Sequence, residues 1–297
     1  SSSNPVIGHA PDMTFMPHPD RHARCCTFHC KRGVMDNWFE NHFLHAARII
    51  HGFLAERMEL GGARILDFGC GDGITALGLA RFAVGAVVGV DINASFRHLP
   101  GLAKANCGMD ALPEALSFVR VAPDCALPFA DGSFDAVYSW SVFEHLRDVG
   151  TALAALRRVL RPGGHCLIQI DPLYYSPFGS HLQRLVPTPW GHLLESAAAF
   201  ASRAREAADG AREDDKGDLL YAKNDFAGFK KHLVEQFLDL NRLTVRQLLY
   251  FVRASGLTVL SALPVRVSGE FVPPPQLACA YPADDLLTST IYLMLRN

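Results

Sequence analysis

The apolar pattern predicts an α/β protein: a doubly wound, mostly parallel seven-stranded sheet with an antiparallel last strand. Two observations carry this. Between residues 64 and 170 short apolar runs alternate with stretches of helical spacing, as strand–helix–strand units require, and the runs are apolar throughout, as strands covered on both faces are. Near the C-terminus two more strand runs follow one another without a helix between them, which predicts antiparallel pairing at the end of the sheet.

Taken in order, residues 1 to about 35 are rich in Pro, His and Cys and lack periodicity, so they read as an arm. Asp36 to Met58 places Trp38, Phe39, Phe43, Leu44, Ala47, Ile50, Phe53 and Leu54 at helical spacing, and Gly61-Gly62 stops it. Strands are expected at Arg64–Phe68, Ala86–Val90, Ser117–Val121, Phe134–Ser139 and Cys166–Ile170, with helices at Thr75–Phe82, Ala94–Asn106 and Val149–Leu160. Arg161-Pro162-Gly163-Gly164 reads as a helix stop and turn. An insertion runs from Pro172 to about Asn241 and ends in an amphipathic stretch, Phe226–Leu240, expected to pack within it. Thr244–Ala254 is a helix with Thr244 as N-cap and Gly256 as stop. Leu257–Val267 and Thr288–Leu295 are the late strands, joined by a segment too rich in proline to hold a helix. The expected organisation is an arm and helical cap (1–60), a core (61–171), an insertion (172–241) and a return to the core (242–297).

Composition narrows the class of partner. With 49% hydrophobic and 20% charged residues, the 297-residue chain can bury a full core, and its net charge of −2 carries no basic stripe for a nucleic-acid backbone. No apolar run has the length of a membrane span, and residues 1–15 lack the charged-then-apolar pattern of a secretory signal. Eight cysteines spread over this length suit reduced thiols. A cytoplasmic protein is expected, with neither nucleic acid nor membrane as partner; the sequence does not speak to oligomeric state.

Three acidic strand ends describe a ligand. Ile65-Leu66-Asp67-Phe68-Gly69-Cys70-Gly71-Asp72-Gly73-Ile74 is a buried strand entering a glycine turn and then a helix, which brings backbone close to a ligand. Asp67 would repel a pyrophosphate and suits an ammonium group, and the G-x-G-x-G spacing lacks the extra residue of the dinucleotide pattern. Asp91, ending Val87-Val88-Gly89-Val90-Asp91-Ile92, can accept from both hydroxyls of a ribose. Asp124 can accept from an adenine amino group while the Cys125 N–H donates to the ring. Three plainer roles are also on the sequence: Asp72 as a helix cap, Asp135 as a turn residue, and His145 either as an orienting group after strand four or as one that faces the reacting atom.

With those motifs, and with Ser141-Val142-Phe143-Glu144-His145-Leu146 and Leu156-Arg157-Arg158-Val159-Leu160-Arg161-Pro162-Gly163-Gly164, the chain resembles the class I S-adenosylmethionine-dependent methyltransferases, in the branch that includes ubiquinone-biosynthesis enzymes. The resemblance covers about Arg64 to Ile170 and implies a Rossmann-like fold. It implies that Asp67, Gly69, Cys70 and Gly71 meet the methionine part of S-adenosyl-L-methionine, Asp91 and Ile92 the ribose and adenine, Asp124 and Cys125 the adenine, and the Ser139 backbone the amino group. The product would be S-adenosyl-L-homocysteine, the acceptor a small molecule with an O, N, S or C nucleophile. Use of another carbon of the cofactor, in aminobutyl-type transfer or in a cyclisation releasing methylthioadenosine, and a non-catalytic cofactor-binding role stay open.

The acceptor pocket is expected beyond the strand ends, at Asp171 and the aromatic, histidine-bearing start of the insertion, with His181, His145 and Tyr175 as candidate bases. Cys25, Cys26, His29 and Cys30 do not have zinc-ligand spacing, and no metal is expected.

Overall fold

A computed structural model describes residues 37–208 and 226–297 of the chain. The cysteine-rich segment with Cys25, Cys26 and Cys30 lies outside the described residues. One seven-stranded sheet organises the molecule, in the order β3-β2-β1-β4-β5-β7-β6. Its strands are β1 (Arg64–Phe68), β2 (Ala86–Asp91), β3 (Leu116–Arg120), β4 (Phe134–Trp140), β5 (Leu160–Ile170), β6 (Thr258–Arg266) and β7 (Thr288–Arg296). Neighbours from β3 to β5 pair in parallel, and β7 enters antiparallel between β5 and β6.

Side-chain alternation along the strands builds two cores. On one face Leu66, Phe68, Val88, Val90 and Val137 pack under α5 (Val149–Val159) and α9 (Val245–Ala254). On the other, Ile65, Val87, Ala136 and Tyr138 pack under α2 (Ala47–Ala55) and α3 (Ile74–Ala80). The central strands are buried on both faces, as their apolar runs predict, whereas the edge strands β3 and β6 are only partly covered.

The first helical stretch is continuous but irregular: α1 (Asn37–Glu40), a π segment (Asn41–Ala46) and α2 follow without a break. Helix α4 (Leu99–Cys107) is preceded by a 3₁₀ turn at Ser95–His98. Helix α9 carries the expected N-cap as a full capping box, Thr244 with Gln247, and Gly256 follows in the left-handed region at φ 81°.

Two expectations are corrected. The helix stops at Val159 as expected, but Arg161-Pro162-Gly163-Gly164 lies within β5 and not ahead of it: it bulges out between the Phe134–Leu160 and Ala136–His165 pairings, with Gly163 at φ 75° and the Gly163 N–H and Gly164 carbonyl bonded to the Asn297 backbone. The proline-rich connection does hold helix, as α10 (Pro275–Ala280) and α11 (Ala283–Leu287). Its prolines stand at or just before each first turn, where no intrahelical N–H is needed.

The insertion has its own core. Tyr174, Leu182 and Val186 pack with Phe200, Ala201 and Ala204 of α7 (Ala197–Glu206) and with Val234 and Phe237 of α8 (Phe226–Asp239). Trp190, just before α6 (Gly191–Leu194), joins it to Leu277 and Leu286 on α10 and α11. Among the described residues no helix is long and apolar enough to cross a membrane.

Candidate active site

The turn after β1 is shaped by three glycines in the left-handed region, Gly69 (φ 83°), Gly71 (φ 54°) and Gly73 (φ 80°). The Gly69 and Cys70 N–H groups both donate to the Val90 carbonyl, at 2.8 and 3.0 Å, curling the turn against the end of β2. A Cβ on Gly69 would lie 2.3 Å from Val142 Cγ2, whereas one on Gly71 would meet nothing within 4 Å. The loop is thus closed on its protein side and open at Gly71, where a ligand can reach the backbone.

Asp91 ties this loop to the end of β2. Its Oδ2 accepts from the Gly71 N–H at 2.9 Å and its Oδ1 from the Asn93 N–H at 2.7 Å. A carboxylate has further lone pairs, so both oxygens can still receive a ligand hydroxyl. Asp72 caps α3 by accepting from the Ile74 N–H at 3.0 Å, and its other oxygen accepts from Trp38 Nε1 at 2.8 Å. The N-terminal helical stretch is thereby fastened to the glycine turn.

Asp67 is the most strained electrostatic element of the site. In parallel register it stands opposite Tyr138, and only 2% of it is exposed. Its Oδ2 has no hydrogen-bond partner, nor has the Tyr138 hydroxyl. Burial pushes its acid up to about 8, the nearby Tyr138 hydroxyl partly offsetting this, and the like charges of Asp91 and Asp72 add to the rise. A buried carboxylate without a partner is costly, and a cation set against it removes that cost. The donor set fits a positively charged amino group. Cys70 beside it is buried with its thiol pushed up, which makes it a space-filling rather than a reactive group.

Outside Asp91 an open groove of about 580 Å³ is lined by Ile92, Asn93, Arg120, Val121, Ala122 and Pro123. Ile92 is 47% exposed there and offers an apolar platform to a planar ring. Asp124 accepts from the Ala126 N–H at 3.0 Å, with Cys125 at φ 60° between them. Ser139 is fully buried and donates through Oγ to the Phe68 carbonyl at 3.0 Å, locking β4 to the end of β1. Asp135 is structural: it accepts from the Arg64 N–H at 2.8 Å and pairs with Arg161 at 2.7 Å.

A second group of side chains collects where β4 and β5 end. Ser141, at φ 53°, donates through its N–H to Gln169 Oε1 at 2.9 Å, holding the turn Phe143–His145 against the end of β5. The rings of His145 and His181 meet edge-on at 5.3 Å. His181 Nε2 donates to the Pro172 carbonyl at 3.2 Å, and burial pushes its basicity down to about 3. Burial also lowers His145. Tyr175 packs against Tyr281 at 5.1 Å and Tyr174 at 5.4 Å.

Several residues here are ones sequence reasoning passed over. Glu144, noted only as the neighbour of His145, is 3% exposed with neither carboxyl oxygen hydrogen-bonded, and its acid is pushed well up by burial. Asn241 fastens the insertion to the same turn, its Nδ2 donating to the Phe143 and Leu146 carbonyls at 2.6 and 2.9 Å and its N–H to Glu144 O at 3.0 Å. Arg242 lies over the Tyr174 ring at 5.4 Å. No spacing rule links positions some 95 residues apart. Only the Glu-His pair itself was a usable signal.

A family model described as a methyltransferase domain matches residues 66–168. The chain is 34% identical over 179 residues to an uncharacterized methyltransferase of Mycobacterium marinum, covering 60% of this chain and 64% of that protein. It is 34% identical to methyltransferase GfsG of Streptomyces halstedii, over 39% of this chain and 40% of that one. With a ubiquinone biosynthesis O-methyltransferase of Xanthomonas oryzae the identity is 32%, over 41% of this chain and 48% of the relative. The chain therefore spans less than two thirds of the length of each of these relatives. Residues 66–168, which carry the glycine turn and the strands around it, thus match a methyltransferase domain.

Proposed function

We propose that this protein transfers a methyl group from S-adenosyl-L-methionine to a small-molecule acceptor, leaving S-adenosyl-L-homocysteine. The observation that carries this is Asp67: a buried carboxyl with an unpartnered oxygen at the mouth of a glycine turn, awaiting an amino group. In this reading Asp67, Gly69, Cys70, Gly71 and the Ser139 backbone hold the methionine part. Asp91 takes the ribose hydroxyls, and Ile92, Asp124 and Cys125 hold the adenine beside the groove. When bound, the cofactor supplies an activated methyl on a positively charged sulfur.

The chain's own contribution is chiefly alignment, which in well-oriented systems lowers a barrier by roughly 7–11 kcal/mol. The described residues 172–208 and 226–241 serve as a lid forming the acceptor pocket over the core of 61–171, with 37–60 as a helical cap and 242–297 completing the sheet. His145, His181 and Tyr175 face the acceptor side, where the buried histidines stay neutral and donate or accept single hydrogen bonds. Aromatic walls with few polar groups suit an organic acceptor.

Calorimetric titration with S-adenosyl-L-homocysteine tests the reading. Uptake by the native protein, weakened at least tenfold by Asp67→Asn and by Asp91→Ala, is the expected result. A folded protein that takes up none of the compound overturns it.

A further inference from the structure

Resting on that reading, we infer that the acceptor carries a carboxylate and that Arg242 binds it, at the rim where the insertion returns to the ends of β4 and β5. The contacts around this rim run in a circle. Asn241, the residue before Arg242, donates through Nδ2 to the Phe143 and Leu146 carbonyls at 2.6 and 2.9 Å, which sets the Arg242 backbone against the turn that carries His145. The Arg242 guanidinium lies 5.4 Å from the centre of the Tyr174 ring, in the loop just beyond the end of β5. Earlier in that loop the Pro172 carbonyl holds His181, whose ring meets His145 at 5.3 Å. Arg242 therefore links the loops after β4 and β5, at the strand ends where ligands of open α/β sheets bind.

Arg242 is exposed, and among the described residues it has the Tyr174 ring but no hydrogen bond and no ion pair. Arg147, Arg203 and Arg266 show the ordinary arrangement, each paired with a carboxylate, Asp239, Glu195 and Asp284 in turn. Burial raises the Asp285 acid, and the groups that oppose this rise are the Val245 backbone and Arg246, so Asp285 does not serve Arg242. The wall next to the cation is aromatic. Tyr175 and His192 meet the Tyr174 ring edge-on at 5.4 and 5.1 Å, and Tyr281 packs on Tyr175 at 5.1 Å. His192 adds no charge, since burial pushes its basicity down to about 4. A guanidinium presents its N–H donors as a planar fork that matches a carboxylate through two parallel bonds. One cation beside neutral rings suits an organic acid with an apolar body and a single charge. A phosphate ester would bring close to two charges and leave the second without a partner.

The test is calorimetry on the complex with S-adenosyl-L-homocysteine, using benzoate, phenylacetate and cinnamate as probes and their neutral amides as controls. At least one acid should bind on the order of tenfold more tightly than its amide, the usual worth of a hydrogen bond to a charged group, and the preference should shrink as salt is raised. Arg242→Gln should abolish the preference, and Arg242→Lys, which keeps the charge but not the fork, should restore part of it. Both variants should still take up S-adenosyl-L-homocysteine as the native protein does, which separates loss of the carboxylate contact from misfolding. No acid preferred over its amide, or a preference that Arg242→Gln leaves intact, overturns the inference while the cofactor reading stands. Phenyl phosphate bound more tightly than all of the acids overturns the assignment to a carboxylate. Failure of the native protein to take up S-adenosyl-L-homocysteine removes the cofactor reading and this inference together.

Discussion

The glycine-turn end of the sheet and the interior of the insertion both bury ionisable groups, yet they respond to pH in opposite directions. At the turn, Asp67 is held as an acid up to about 8, against 3.8 when free in water. The folded state binds the extra proton across that interval, so this group's contribution is complete below pH 3.8 and is lost as pH rises toward 8. In the insertion, His181 and His192 are pushed down to about 3 and about 4 from 6.5. There the unfolded chain binds the extra proton, so stability present above pH 6.5 is lost as pH falls through those values. A cation relieves the burial of Asp67. His192 is instead satisfied within the fold on one side, its Nε2 donating to the Tyr174 carbonyl at 2.6 Å. One end is built to be completed from outside, the other to stay closed.

The contrast can be broken most severely by Asp67→Asn. Denaturation free energies measured across pH in the ligand-free protein should lose the decline between pH 3.8 and about 8, which in the native chain amounts to as much as about 1.4 kcal/mol per pH unit. The acid-side loss should survive this change and diminish with His192→Gln. A decline toward pH 8 that persists in Asp67→Asn would mean the buried carboxyl is not its source.

A smaller effect is expected from Gly69→Ala, which combines a left-handed backbone with a Cβ 2.3 Å from Val142. The loss should be about 3 kcal/mol by urea denaturation. Adding Val142→Ala should return the part due to the clash and leave the roughly 1–2 kcal/mol of backbone strain. Full recovery in the double variant would show that the glycine's conformation is dispensable.

Smallest is Asn241→Ala, which removes the two side-chain bonds between the insertion and the turn bearing Glu144. A cost of about 1–3 kcal/mol is expected from the carbonyls left unpaired, with faster hydrogen exchange at residues 143–146. Unchanged exchange there would show that the turn is held by β5 alone.

How much of this could be read beforehand differed between the two ends. Asp67, Asp91 and Asp124 were legible because each closes a short apolar run, and the glycine turn because a left-handed backbone selects its residue type locally. Asp171 was recognisable as a strand end, but that Thr290 pins it was not. The proline-rich connection was misread because proline's effect depends on whether it stands inside a helix or at its first turn, as Pro275 does. That Arg161–Gly164 forms a bulge inside β5 was not legible, because its place in the sheet is set by Asn297 at the far end of the chain.

The amino-acid order alone determined the alternation of strands and helices, the antiparallel close of the sheet, and the acid-and-glycine edge where a charged nucleoside fits. Those features follow from interactions within a few residues: backbone propensity, side-chain period and turn chemistry. Only the tertiary structure decided which groups lose water without gaining a partner. Burial of Asp67 and Glu144, and the meeting of Asp171 with Thr290 and of Asn241 with the turn after β4, arise from segments brought together by packing. Desolvation is set by everything around a group, so it has no signature in the sequence beside it.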